Sequence, residues 1–217
     1  MKKKTLALLL SVVLVIGVVA GSSLAWLTAK DEPVVNVFTP SNIKITLTED
    51  TKTHDETTDY RFKMVPGDTF AKDPKVKVES GSEACWLFVA ITESENLDKF
   101  ITYDVADGWT QLEVTKDGVT TKYENIYWRS VGGNDINKDF YILAGQGDGE
   151  LKNGCVTVNT TVTKSDMETI IDDPSTETQP TLTFNACAVQ SAHLETVEKA
   201  WEQANSDFVA LAKKVTP

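Results

Sequence analysis

Apolar residues follow two rhythms along this chain, and an unbroken apolar run precedes both. Strand-like alternation dominates the middle. Asn42-Ile43-Lys44-Ile45-Thr46-Leu47-Thr48 places Ile43, Ile45 and Leu47 on one face, and Lys75-Val76-Lys77-Val78-Glu79 alternates in the same way. Val34 to Phe38 predicts a short first strand, stopped before Pro40, and Tyr60 to Met64 runs into the segment Val65 to Asp68. Cys85 to Ile91, CWLFVAI, is continuously apolar, which predicts a central strand covered on both faces. Val65-Pro66-Gly67-Asp68 predicts a type II turn, because glycine accepts the positive φ at its third position. Leu112 to Thr115 and Val119 onward flank Lys116-Asp117-Gly118 and predict a hairpin that continues through Tyr123 to Val131. Cys155 to Thr163 and Thr181 to Gln190 predict further strands, the last of them buried. The polar stretch Glu49 to Asp59 and the glycine-rich stretch Gly145 to Gly154 predict loops.

Helical spacing occurs twice. Ser165-Asp166-Met167-Glu168 has the form of a capping box, so a short helix is expected there, ending before Pro174. Leu194, Val197, Trp201, Ala204, Phe208 and Leu211 recur at three- and four-residue steps, one apolar stripe on a helix of about twenty residues. Such stripes usually face their own core, and this one is expected to pack on the sheets, the alternative being a helix that docks to a partner chain. Thr, Val, Ile and aromatic residues punctuated by Gly, Pro, Asn and Asp give the whole the texture of an all-β sandwich. Without repeats or an interdomain linker, residues 41–217 are expected to form one domain.

The unbroken run is of another kind. Lys2, Lys3 and Lys4 precede TLALLLSVVLVIGVVA, and no charge follows until Lys30. A basic start, an apolar core and small residues at Ser23 and Ala25 make a secretory signal, with cleavage after Ala25 leaving Trp26 as the new terminus. Residues 1–25 are therefore read as a signal peptide and residues 26–40 as an amino-terminal extension. The rival reading is a retained helix, since the uncharged span from Thr5 to Ala29 is 25 residues, enough to cross a bilayer.

Charge narrows the partners. The chain carries a formal charge of −11, and removing residues 1–25 takes away three lysines and no acid, leaving −14. Such a surface repels nucleic acid and anionic membranes. The expected membrane contact is through the leader alone, before cleavage.

Catalytic signatures are missing from the sequence. His54 lies in a polar loop, His193 opens the terminal helix, and no HExxH or GxSxG is present. Gly81 to Trp86 surrounds Cys85 much as a thiol-protease nucleophile is surrounded, but a buried strand is an inert setting for a thiol. Asp135, Asn137 and Asp139 start like a calcium loop, yet Phe140 stands where the turn glycine belongs. An acidic turn is the simpler account of them, and a weak extracellular calcium site is the alternative. Cys85, Cys155 and Cys187 are an odd set without CxxC spacing, which argues against structural zinc. A Cys85–Cys187 bridge and buried free thiols both stay open. No enzyme, cofactor or metal is expected.

An ordered set of segments carries a resemblance. A leader ending in SLAWLTA is followed by NVFTPSNIKITLTE, then KMVPGDTFAKDPKVKVESGSEACWLFVAI, YDVADGWTQLE, and a late FNACAVQ strand before a helix containing AW. This order resembles the TasA/camelysin family of Gram-positive bacteria, the spore-coat-associated protein N type. It covers residues 1 to about 95 well and residues 181 to 201 moderately. The resemblance implies export with leader removal by a signal peptidase of the SipW type and a jelly-roll-like antiparallel β-sandwich. It also implies an extracellular role as a biofilm-matrix fibre subunit, with self-association by donation of the amino-terminal strand. The metalloprotease label given to some members is not carried over, since the sequence has no zinc motif. In the donated strand, Val35 and Val37 would share one face, with Val34 and Phe38 on the other. The alternative expectation is a monomeric cell-surface or spore-coat-associated binding module held by an uncleaved amino-terminal helix.

Overall fold

The computed structural model describes residues 42–49, 64–145, 154–172 and 179–215, all within the unit Ser41–Pro217. Ser23, Ala25, Trp26, Val34, Val35, Val37, Phe38 and His54 lie outside the described residues. The described elements are β1 (Ile45–Glu49), β2 (Thr69–Ala71), β3 (Pro74–Val78), β4 (Cys85–Glu93), α1 (Leu97–Phe100), β5 (Ile101–Thr102), β6 (Thr110–Lys116), β7 (Val119–Val131), β8 (Asp139–Tyr141), β9 (Cys155–Val158), α2 (Lys164–Asp172), β10 (Leu182–Gln190), α3 (Val197–Glu202) and α4 (Ser206–Val209).

The run CWLFVAI becomes β4, which lies inside a four-stranded sheet of order β10-β4-β7-β6. Its uninterrupted apolarity follows from two coverings. Leu87, Val89 and Ile91 face a core shared with Val76, Val78, Phe140 and Ile142. Phe88 and Ala90 face a different core, built with Leu112, Ile126, Trp201 and Phe208. Burying each large side chain of this kind contributes about 1.5–3 kcal/mol.

The first covering consists of two three-stranded sheets, β1-β3-β8 and β2-β9-β5, and every strand pair is antiparallel. Backbone bonds from Lys72 N to Gly154 O (3.3 Å), Cys155 N to Ala144 O (2.9 Å) and Ala144 N to Asp104 O (2.8 Å) join them into one layer. Leu182 and Phe184 of β10 pack against the cores beneath both small sheets. The fold is thus an antiparallel all-β sandwich, as its alternation predicts. At the seam, Gly154 has φ 93°, and a Cβ there would lie 2.5 Å from the Lys72 carbonyl oxygen, so only glycine fits.

The local predictions hold at the turns. Gly67 takes φ 86° and Asp68 N donates to Val65 O at 2.9 Å, closing the predicted turn. Asp117 and Gly118, at φ 52° and 79°, join β6 to β7 with Lys116 opposite Val119, as a two-residue hairpin requires.

The helices differ in detail. The box that starts α2 is Thr163 with Asp166, two residues before the predicted one. Thr163 N donates to the Asp166 carboxylate at 2.9 Å, and Asp166 N donates to Thr163 Oγ1 at 3.3 Å. Lys99 adds an ion pair to the same carboxylate at 2.6 Å, which competes in favour of this frame. The expected twenty-residue helix is two short ones. Asn205 breaks it, because its side-chain oxygen accepts from Asp207 N at 2.8 Å and Phe208 N at 3.4 Å and caps α4. His193 does not open a helix. It stands in a turn at φ 64°, and α3 begins at Val197. The stripe still faces inward as predicted, with all six of its residues in the core under β4 and β7.

The end of the chain is held to the sheet by a side chain that the apolar pattern does not mark. Buried Asn125 donates to Leu211 O at 2.9 Å and accepts from Lys213 N at 2.8 Å. Tyr123 and Lys214 form an isolated antiparallel bridge beside it.

Candidate assembly edge

The chemistry of a strand edge depends on which backbone groups its neighbours leave free. β10 is the end strand of its sheet, and β4 is its one partner among the described residues. Ser191 N donates to Ala84 O and Ser94 N donates to Thr181 O, both at 3.0 Å. These bonds flank the ladder at odd positions of β10, so the odd residues bond to β4. The N–H and C=O groups of Leu182, Phe184, Ala186, Ala188 and Gln190 therefore point outward. The strand is half-buried rather than fully buried as predicted, because it has a layer above and below but none of the described strands beside it.

Its composition leaves that edge unguarded. Exposed edges are usually protected by charge, proline, a bulge or short length. β10 is nine residues long and reads LTFNACAVQ, without a charge or a proline. The opposite edge shows the contrast. β6 carries a bulge between Gln111 and Glu113, and its charged side chains are engaged: Glu113 with Lys122 and Lys116 with Glu202, each at 3.0 Å.

β10 also neighbours β1 across the first core. In the facing layer β1 is the end strand, and Ile43, Ile45, Leu182, Phe184, Ala186 and Ala188 are all partly buried against the same core. Lys72 closes one end of this region, with its ammonium 5.4 Å from the Phe184 ring centroid and 3.2 Å from the Glu49 carboxylate. Burial raises the Glu49 carboxyl above its ordinary range, and Lys72 offsets part of that rise.

No family model, curated protein or solved structure matches this chain significantly.

The sequence-level sites that the structure describes are quiet. Cys85 is wholly buried, and burial pushes its thiol up to about 11, so it is no nucleophile at neutral pH. Cys155 is also raised, by burial first and by Asp104 second. In the acidic turn, Asp135 bonds to Lys138 at 2.9 Å, and Asp139 lies 3.5 Å from Lys75 and 3.3 Å from Lys77. Lysines thus occupy the carboxylates that a calcium ion would need. Among the described residues no three His, Cys, Asp or Glu side chains converge, and no helix is long and apolar enough to cross a membrane.

Sequence reasoning identified FNACAVQ as a strand but missed its place at the edge. The absence of charge over nine residues was the available signal.

Proposed function

We propose that this chain is a secreted, non-enzymatic structural subunit that polymerises into extracellular fibres. The outer edge of β10 accepts a strand from a neighbouring copy, and the segment Val34 to Phe38 is the strand donated. The observation that carries this reading is the uncharged, nine-residue edge of β10, open among the described residues. Strand addition gains main-chain hydrogen bonds along such an edge and specificity from the alternate side chains of the added strand. A head-to-tail contact of this type does not close on itself, so it builds filaments. Export supplies the timing, since a strand just behind the leader stays engaged until cleavage after Ala25 releases it. The resemblance to the TasA/camelysin family points the same way, including processing by a signal peptidase of the SipW type.

Deleting residues 26–40 from the purified protein and imaging it at high concentration tests the mechanism. The deleted protein is expected to remain monomeric. Fibres equal to those of the intact protein would overturn strand donation.

A further inference from the structure

Across the large sheet from β10, Arg129 of β7 shares its face with Tyr127 and Val131, which pack into the first core. Its guanidinium carbon lies 3.8 Å from the Phe140 ring centroid and 5.3 Å from that of Trp109. Trp109 is itself fixed, donating from its indole N–H to Tyr141 O at 2.8 Å. The head group is therefore packed against aromatic rings.

Its donors have not been used. An arginine always carries its charge and presents five N–H groups. None meets an acceptor among the described residues, and Nε is buried. Asp135 is the acid whose field reaches Arg129, but its carboxylate is bonded to Lys138 at 2.9 Å. Gly108, at φ 86°, passes beside the guanidinium. A Cβ there would stand 3.4 Å from Nη2 and 3.5 Å from Nη1, in ordinary contact with the terminal nitrogens.

A preorganised, planar fork without an acceptor suits a carboxylate, whose two oxygens lie in one plane at the matching spacing. We propose that Arg129 is a carboxylate-binding site, filled in the fibre by an acidic side chain of a second copy of this chain. The assignment of the occupant rests on the fibre-subunit reading above and on charge. After cleavage each copy carries 32 acids and a net charge of −14, so a neighbouring copy presents carboxylates wherever it approaches. Seating one against Arg129 turns a like-charge contact into a bonded pair.

The test compares the concentration needed for fibre formation in the wild-type protein, Arg129→Lys and Arg129→Gln, with thermal melts by circular dichroism confirming that each is folded. In parallel, the Arg129 Nε–H signal of the monomer is followed by NMR. It is titrated with sodium glutarate, with sodium chloride at equal ionic strength, and with an oligouronate. Glutarate is expected to move the signal where chloride does not, and both variants are expected to need about tenfold more protein to assemble. Folded variants that assemble like a fibre-forming wild type would overturn the site and leave the fibre reading standing. A wild-type protein that never assembles would remove the fibre reading and the second-copy occupant with it. A response to the oligouronate without one to glutarate would overturn the assignment in favour of an acidic glycan.

Discussion

Cys85 and Cys187 sit on neighbouring strands of one sheet and face opposite sides of it. Cys85 stands opposite Gln190 and Cys187 opposite Phe88, an offset of three residues. An odd offset reverses the face, and so Cys85 enters the core under the small sheets while Cys187 enters the core under the terminal helices. The bridge left open by the sequence is thus excluded by geometry, and all three cysteines are free.

Thiol labelling follows from this. Intact mass after oxidation and alkylation is expected to show no internal disulfide, with Cys85 modified only once the protein is unfolded. Rapid labelling of Cys85 in the folded protein would contradict its burial.

Trp201 joins the terminal helices to the sheet. Its ring lies 5.4 Å from Phe88, 5.5 Å from Tyr123 and 6.2 Å from Phe208, with 6 % of its surface exposed. Trp201→Ala is expected to lower unfolding stability by about 3–5 kcal/mol in urea titrations. A loss under about 1 kcal/mol would mean that the helices are dispensable to the sandwich.

The Asp166 carboxyl is held below the ordinary aspartate value of 3.8, first by the Lys99 ion pair and then by its bonds to Thr163. A depressed carboxyl binds protons less well folded than unfolded, so its stabilising effect is fully present above the ordinary value and is lost as pH falls from there through the lower folded value. Asp166→Asn is expected to melt below the wild type at pH 7, with the gap closing in melts at pH 3 and below. A gap that persists unchanged in acid would contradict the assignment.

Where the sequence was informative, a local rule acted alone. Alternation placed Val76 and Val78 inward, the apolar run placed β4 in the centre, and Asp117-Gly118 closed a hairpin. Where two rules competed, the pattern misled. Ser165 and Thr163 could each open α2, and Lys99, distant in sequence, decides between them. Asn205 could ride on a helix or cap one, and its bonds to the next turn prevail. The lateral position of β10 was invisible for a different reason. Periodicity reports what lies above and below a strand, whereas its hydrogen-bonding edge lies in the plane of the sheet. Arg129 and Asn125 escaped because their partners are distant in sequence.

In the proposed fibre, growth runs through the outer edge of β10. The Ala186 N–H points away from β4, so Ala186→Pro removes an outward donor while leaving the ladder to β4 intact. Electron microscopy of the purified protein, with a melt showing that the variant is folded, tests this most directly. The account predicts wild-type fibres and a folded, non-assembling Ala186→Pro monomer; fibres of equal length and number from the variant would contradict it.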